Sequence, residues 1–230
     1  MIIILFVIIL FVIILLLIAL FKIDCELYII DIPIYVISLK RSYDRKKYIE
    51  KELGKYNIDF KYFDAVDGKN MTKEQFKLAE RYISKYANFP LVSGITGCYL
   101  SHVLLLQKLK SLKTPHTLIF EDDVRIVNFD KLTGILNLIK DYDIIFLGHC
   151  GEKKGELATE FFSLHKSVIP KCTHSYIISY KGVCKMLDIF ENKKGETAVD
   201  HIFANSKLKN YSVHPQIVEQ SGIQSTIQKT

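Results

Sequence analysis

Apolar runs suited to buried strands alternate with helical segments along residues 33–218. Runs rich in β-branched and aromatic residues, such as 33–39 and 116–120, suit strands because these side chains pack well on a pleated surface. The segments between them carry apolar residues at helical spacing. This alternation is typical of an α/β sandwich with a largely parallel central sheet. In such a sheet, ligands bind outside the carboxyl ends of the strands.

The same patterns predict the individual elements. The predicted strands cover residues 33–39, 59–65, 116–120, 142–148, 174–179 and 211–218. The predicted helices cover residues 42–56, 72–86, 98–109, 130–140, 181–190 and 198–207. Gly94 and Gly97 precede the third helix, and a glycine-flanked helix start leaves backbone N–H groups free to meet an anion. Residues 150–170 carry few periodic cues, so we expect a loop or irregular insertion there, able to close over a ligand.

The N-terminal segment differs in character from the rest of the chain. Residues 1–21 contain no charged side chain, and as a helix they would extend about 31 Å, enough for a bilayer core of roughly 30 Å. We interpret residues 1–22 as a single-pass transmembrane anchor, 23–32 as a connector and 33–230 as the folded domain. A cleaved signal peptide is the alternative, but the basic n-region and the small-residue cleavage site are missing. The side of the membrane stays open.

Composition narrows the class of ligand. The 230 residues carry a formal net charge of +6, and such mild basicity suits anionic ligands or a membrane surface. No zinc-finger or RNP pattern accompanies the charge, so we expect no nucleic-acid partner. The 5 cysteines are too few and too dispersed for a disulfide framework, and none forms a C-x-x-C pair, so we expect no structural zinc site.

Three acids follow the buried run 118–120 directly: Glu121, Asp122 and Asp123. Adjacent carboxylates repel one another and are costly to desolvate unless a cation or hydrogen-bond donors compensate. On an extended chain Glu121 and Asp123 share one face, and Asp122 points to the other. A divalent metal site and a solvated turn both fit this stretch. The position at the carboxyl end of a strand favours the metal site.

Several longer stretches recur in one known family. They are IYVISLKRSYDRKKYIEKEL followed by FKYFDAVDG, then SGITGCYLSHVLLLQK, then LIFEDDV, and finally SYIISYKGVCKML with VDHIF and HPQIVEQSGIQST. Together they resemble glycosyltransferase family 25, which includes bacterial lipooligosaccharide galactosyltransferases and collagen hydroxylysine galactosyltransferases. The resemblance covers about residues 33–226. It implies a GT-A-like (Rossmann-like) fold with a mixed, mostly parallel sheet flanked by helices, a UDP-sugar donor, Mn²⁺ or Mg²⁺, and inversion at the anomeric carbon.

The resemblance also implies roles for individual residues. The candidate metal ligands are Asp123, Glu121 and His214, and Asp123 is the first choice among them. The candidate donor-binding residues are Arg45, Ser101, His102, Glu121 and Asp122. Asp200 is the candidate general base. Competing interpretations are a surface helix arginine for Arg45, a satisfied, partly buried histidine for His102, and an N-cap or surface acid for Asp200.

The resulting hypothesis is a membrane-anchored, metal-dependent glycosyltransferase. It would transfer a hexose, with galactose as the first candidate, from a UDP-sugar to a hydroxyl of a glycan or of hydroxylysine. A catalytically silent relative that binds a glycan or nucleotide is the second hypothesis, and a metal-dependent phosphoryl-transfer enzyme is the third. The stretch between Cys150 and Lys171 is unfamiliar in the family, so we expect acceptor specificity to lie there.

Overall fold

The computed structural model describes residues 12–13, 32–138, 141–152, 155–159, 163–195 and 198–223. The chain divides into two compact units, Met1–Asp31 and Ile32–Thr230. In the first unit only Val12 and Ile13 are described, and both are helical. The anchor predicted at 1–22 therefore lies outside the described residues except at these two positions. Within the described ranges, no helix has the length and apolar character needed to cross a membrane.

The second unit is built on a central sheet of eight strands in the order β2-β1-β3-β8-β5-β9-β7-β6. Its strands are β1 (Ile34–Ser38), β2 (Lys61–Asp64), β3 (His116–Glu121), β5 (Ile144–Phe146), β6 (Leu157–Thr159), β7 (Leu164–Lys166), β8 (Ser175–Ser179) and β9 (Asn210–Val213). A separate pair joins β4 (Val124–Ile126) to β10 (Val218–Gln220) in antiparallel fashion.

The sheet is mixed, and most of its strands share one direction. β1 is parallel to β2 and β3, and β5 is parallel to β9. β8 is antiparallel to β3 and β5, and β7 is antiparallel to β6 and β9. Only β8 and β7 thus run against the other strands of this sheet, which agrees with the mixed, mostly parallel α/β sheet expected. The predicted parallel sheet is nevertheless interrupted, because β8 separates β1, β2 and β3 from β5 and β9.

The helices lie close to their predicted positions. They are α1 (Tyr43–Gly54), α2 (Lys73–Tyr82), α3 (Gly94–Leu112), α4 (Phe129–Leu138), α5 (Tyr180–Asn192) and α6 (Val199–Ala204). Thr72 and Gln75 form a capping box at the start of α2, which satisfies backbone N–H groups that the helix leaves free. Ser93 caps α3 by accepting a hydrogen bond from Thr96 N. The helix therefore begins four residues before the predicted start at 98.

The third helix, α3, forms the centre of the core on one face of the sheet. Leu100, Val103 and Leu106 are fully buried on it, and the helix packs against α5. Buried strand residues such as Ile119 and Tyr176 belong to the same cluster. Burying each side chain of this size contributes about 1.5–3 kcal/mol. This packing holds the start of α3 against the sheet, where the site described below is built.

Two predicted segments differ from the structure. The strand predicted at 211–218 is divided into β9 and β10, with a cis peptide bond between His214 and Pro215 where the chain turns. The insertion predicted at 150–170 contains β6 and β7, which extend one edge of the sheet. A disulfide between Cys150 and Cys172 joins the two ends of this insertion. The dispersed cysteines predict no disulfide framework, and this bridge between Cys150 and Cys172 differs from that expectation.

Candidate active site

A cleft of about 370 Å³ opens at the carboxyl ends of β1, β2 and β3. These ends meet at one edge because the three strands are parallel. The start of α3 and the start of α6 close the cleft from the side. Its lining contains every candidate site residue except His214, namely Arg45, Ser101, His102, Glu121, Asp122, Asp123 and Asp200.

Two neighbouring segments hold the acids at the floor of the cleft. Glu121 is the last residue of β3 and lies opposite Ile37 of β1 in the parallel register. Asp122 and Asp123 form the turn into β4, which is paired with β10. The carbonyl of Asp123 accepts a hydrogen bond of 2.7 Å from the backbone N–H of Ser221, directly after β10. The acids therefore belong to a fixed turn, and the interpretation as a solvated turn is wrong for Asp122 and Asp123, which are 6% exposed.

Arg45 links two of the acids. Its Nε and Nη2 each lie 2.6 Å from Oδ1 of Asp122, and Nη2 also lies 2.9 Å from Oδ2 of Asp123. Ser38, at the end of β1, donates a hydrogen bond of 2.6 Å to Oδ2 of Asp122. Both carboxylate oxygens of Asp122 are thus occupied within the protein. Arg45 is buried at 9% exposure, so the interpretation as a surface helix arginine is wrong.

The charge balance of this cluster is negative. Burial and repulsion from Glu121 raise the pKa of Asp123 to about 6, although Arg45 opposes the rise. Burial also raises the pKa of Asp122, against the effect of Arg45 and Ser38. Burial would likewise raise the pKa of Glu121, but the neighbouring His102, His174 and Thr173 outweigh it, and that pKa is lowered. One guanidinium therefore does not fully compensate the adjacent carboxylates.

His102 positions Glu121. The side chain is fully buried on α3, with Nδ1 2.9 Å from the hydroxyl of Tyr176 and Nε2 3.5 Å from Oε1 of Glu121. Burial raises the pKa of Tyr176 well above its usual value, so the hydroxyl stays protonated and can donate to Nδ1. The Nε2 hydrogen then points to Glu121. Thr173 donates a hydrogen bond of 3.1 Å to the same oxygen.

Ser101 holds the start of α3 to the chain that follows β2. Its hydroxyl accepts a hydrogen bond of 2.8 Å from Val66 N and donates one of 2.6 Å to Gly97 O. Gly97 lies so close to this segment that a Cβ there would be 2.5 Å from Val66 O and 2.6 Å from Gly68 N. The close approach requires glycine, because a side chain would collide with backbone atoms. Ser101 thus shapes the cleft wall through contacts inside the protein.

Asp200 faces the cleft from the first turn of α6. Its Oδ2 accepts a hydrogen bond of 3.2 Å from Cys172 N, and its Oδ1 accepts one of 3.0 Å from His201 N. The N-cap residue of α6 is Ala198, so the N-cap interpretation of Asp200 is wrong. The two backbone donors orient the carboxylate at the side of the cleft.

The structure places His214 outside the cleft. Its Nε2 lies 3.6 Å from Oε2 of Glu152, and its ring is 4.5 Å from the ring of His149. This corrects the expectation that His214 joins Glu121 and Asp123 around one ion. The reason is topological, since His214 follows β9 and β8 and β5 lie between β9 and β3 in the sheet.

Several residues of the cleft were not predicted. Ser38 and Thr173, which line the cleft, are ordinary strand-end residues in the sequence, with no pattern that marks them. The same holds for Tyr176, which lies outside the cleft and contacts His102 from β8. Cys98 also lines the cleft, and burial raises the pKa of its thiol well above the usual value. Cys172 is bonded to Cys150 and lies beside Asp200. Cysteine spacing alone does not reveal such a pairing.

The acids also fit a divalent cation. Oδ1 of Asp123 is buried and accepts no hydrogen bond from the residues that the structure describes. Glu121 lines the same cleft. Carboxylate oxygens suit Mn²⁺ or Mg²⁺. Asp122 is not suited as a ligand, because Ser38 and Arg45 occupy its oxygens.

Comparison with known proteins agrees with this arrangement. The model of glycosyltransferase family 25 (LPS biosynthesis protein) matches residues 31–168, more than half of the chain. The chain belongs to glycosyltransferase family 25. The matched range contains Arg45, His102 and the three acids of the cleft floor, whereas Asp200 and His214 lie beyond it.

Curated relatives of this family 25 chain come from bacteria and animals. The lipooligosaccharide biosynthesis protein lic2B of Haemophilus influenzae is 41% identical over 98 residues, which are 42% of this chain and 36% of that protein. The procollagen galactosyltransferase 1-B of Xenopus laevis is 30% identical over 169 residues, 67% of this chain and 28% of that protein. The chain thus spans about a third of the length of these relatives.

A solved structure of a mutant Drosophila β-1,4-galactosyltransferase 7 aligns with 84% of this chain and 71% of that chain. The TM-score is 0.40 and the sequence identity is 7%. The likeness is too distant for the two sites to be compared residue by residue.

Proposed function

We propose that the chain transfers a hexose from a UDP-sugar to a hydroxyl of a glycan or of hydroxylysine, with galactose as the first candidate for the hexose. The transfer inverts the anomeric carbon and depends on a divalent metal. The observation that carries this proposal is the excess of buried carboxylate over cation in the cleft. Asp122 and Asp123 share Arg45, and one oxygen of Asp123 accepts no hydrogen bond within the described part of the chain. The galactosyltransferase named among the relatives supports galactose as the first donor to test.

Asp123 and Glu121 are the residues that would hold Mn²⁺ or Mg²⁺. When bound, the ion stabilises the negative charge of the departing diphosphate as a Lewis acid. Arg45 keeps Asp123 in place through Nη2. His102 and Thr173 orient Glu121 through the same oxygen. These contacts fix the carboxylates before the donor binds, which lowers the cost of arranging them during the reaction.

The start of α3 supports binding of the diphosphate. Gly94 and Ile95, in the first turn of this 19-residue helix, line the cleft. The positive end of the helix dipole and the N–H groups of Gly94 and Ile95 favour a negative group at this position. The donor phosphates would therefore lie between this helix start and the acids.

Asp200 is the residue that would take the proton from the acceptor hydroxyl. The backbone N–H groups of Cys172 and His201 each bond one of its oxygens, so the carboxylate is held in a fixed orientation. Each oxygen keeps a further acceptor position for a substrate hydroxyl. Proton transfer to Asp200 then accompanies bond formation at the anomeric carbon, on the face opposite the departing diphosphate.

A donor screen tests the proposal. The full chain is incubated with a panel of UDP-hexoses, with and without Mn²⁺, and release of UDP is measured. We expect one donor to be turned over only with metal, loss of turnover in Asp123→Asn, and normal turnover in Asp141→Asn, whose side chain is 71% exposed. UDP binding without turnover on every donor would instead support a catalytically silent relative. Release of inorganic phosphate would point to phosphoryl transfer.

We also propose that residues 1–22 anchor the chain to a membrane. The support is the absence of charge from residues 1–21, which lets this stretch cross a bilayer as a helix. Extraction of cell membranes with alkaline carbonate checks this. The full chain should stay in the membrane pellet, and a chain lacking residues 1–22 should move to the supernatant. Release of the full chain by carbonate would contradict the anchor.

A further inference from the structure

Two histidines follow neighbouring strands at the same edge of the sheet. His149 comes shortly after β5, and His214 comes directly after β9. Because β5 and β9 are parallel partners, their carboxyl ends lie side by side. The two imidazole rings are 4.5 Å apart between centroids, and both side chains are largely buried. The fold therefore brings two metal-ligating groups together in a place that the cleft does not include.

Glu152 completes this cluster. Its side chain is 0% exposed, and its Oε2 lies 3.6 Å from Nε2 of His214 and 3.7 Å from Nε2 of His149. Oε1 accepts a hydrogen bond of 3.0 Å from Val168 N, whereas Oε2 accepts none from the described part of the chain. A carboxylate taken fully out of water needs a positive partner. A cation between the three side chains would supply it.

The distances suit a tetrahedral ion. Zinc binds imidazole nitrogen and carboxylate oxygen at about 2.0–2.2 Å, so ligand atoms at the corners of a tetrahedron lie about 3.4 Å apart. The N···O distances of 3.6 and 3.7 Å are close to this value and too long for hydrogen bonds. The three ligand atoms all lie within 4.8 Å of one another. Small side-chain movements would bring them onto one ion.

We propose that His149, Glu152 and His214 bind one zinc-type divalent ion at a second site, outside the cleft. Two imidazoles and one carboxylate suit zinc, whereas the all-oxygen acids of the cleft suit Mn²⁺ or Mg²⁺. Three protein ligands leave a fourth position for water or another ligand. Nε2 of His149 also lies 3.2 Å from Val213 O, so the ion requires the tautomer with the proton on Nδ1.

This site would connect the insertion to the sheet. Glu152 lies near the start of the insertion and accepts a hydrogen bond from Val168 N near its end, while His214 directly follows β9. The insertion also ends at Cys172, which lines the cleft and bonds Asp200. Ion binding would therefore stabilise one wall of the cleft. We expect the thermal unfolding midpoint to rise when zinc is added to the metal-free chain.

Metal analysis of the full chain, purified without a histidine tag and without reductant, tests the proposal. The chain is stripped with a chelator, reconstituted with zinc, and analysed by mass spectrometry of the metal and by titration calorimetry. We expect about one zinc per chain, with at least a tenfold loss of affinity in Glu152→Gln and in His149→Gln. His116→Gln is the matched control. His116 lies at the amino end of β3, where it contacts Tyr142, whereas the proposed site lies at the carboxyl ends of β5 and β9. This control should keep full zinc binding.

Two further variants distinguish this site from its neighbours. Asp123→Asn should keep the zinc, because the cleft acids are not ligands here. Cys172→Ser should also keep it, which separates the proposed site from the nearby group Cys150, Cys172 and His174. Loss of zinc in Cys172→Ser with retention in Glu152→Gln would overturn the proposal.

A spectrum of the cobalt-substituted wild-type chain tests the site without any variant, so the result does not depend on whether a variant folds. Wild-type chain should show the absorption of four-coordinate Co²⁺ without thiolate bands. A wild-type chain that takes up no metal after reconstitution would show that Glu152 and the histidines form an ion pair alone, and the proposal would be wrong.

Discussion

The guanidinium of Arg45 lies 2.9 Å from a carboxylate oxygen of Asp123 in the floor of the cleft. The same group also bonds Asp122, so one buried cation is shared by two buried acids. Such an arrangement leaves negative charge for a ligand to compensate, and it makes the acids depend on Arg45 when no ligand is bound.

Replacement of Arg45 should strongly destabilise the metal-free chain. In Arg45→Met the two buried carboxylates lose their cation, and we expect a loss of about 3–5 kcal/mol in the free energy of unfolding. Urea unfolding in chelator measures this loss. The matched control is Arg41→Met, which removes a pair with Asp67 whose arginine is 56% exposed and should cost under about 1 kcal/mol. Equal losses in the two variants would contradict the role given to Arg45.

Asp123 should make the metal-free chain less stable as the pH rises from about 4 to about 6. The pKa of Asp123 is raised to about 6 in the folded chain, above its usual value near 3.9. In this window the folded state binds more protons than the unfolded state, so the free energy of unfolding falls with rising pH, by about 3 kcal/mol at most. Asp67 affects the free energy of unfolding at lower pH, since Arg41 lowers the pKa of Asp67 to about 2. Its contribution is lost as the pH falls below about 4.

The contribution of Asp123 is the difference between wild-type and Asp123→Asn unfolding curves, recorded in chelator over this pH range. We expect the decline to be smaller in the variant, because the amide does not titrate. Saturating Mn²⁺ should also reduce the decline in the wild type, since metal binding favours the ionised carboxylate. Parallel curves in chelator would argue against the raised pKa.

Gly97→Ala should disturb the joint between α3 and the segment after β2. A Cβ at this position would be 2.5 Å from Val66 O and 2.6 Å from Gly68 N, and backbone atoms cannot move aside easily. We expect a loss of about 1–3 kcal/mol in the free energy of unfolding, measured in urea. Gly54→Ala is the control, because nothing lies within 4 Å of its added Cβ. It should be neutral or slightly stabilising.

Asp200→Asn should separate catalysis from donor binding. The amide oxygen can still accept a backbone hydrogen bond, but the side chain no longer takes a proton. We expect kcat for transfer to fall by about 10²–10⁴-fold, with little change in KM for the UDP-sugar. Asp188→Asn, at an exposed acid on α5, should leave both constants unchanged. A parallel rise in donor KM without a fall in kcat would assign Asp200 to donor binding instead.

Much of the α/β pattern could be read from local sequence. The strand ending at Glu121 and the helix capped by Thr72 were predicted close to their observed bounds, because strand burial and helix capping depend on neighbouring residues. Placement of the acids at a strand's carboxyl end was also correct. The antiparallel insertion of β8 between β3 and β5 was not predicted, since pairing between distant strands leaves no local pattern.

The sequence alone determined which residue types stand at the cleft edge: three consecutive acids after a buried strand, and a glycine-rich start of α3. Only the tertiary structure decided their partners. In the folded chain Ser38 and Arg45 bond Asp122, and His102 contacts Glu121. His214 lies beside Glu152, away from the acids of the cleft. The physical reason is that burial and backbone conformation depend on adjacent residues, whereas charge compensation depends on side chains that meet only when separate strands and helices pack.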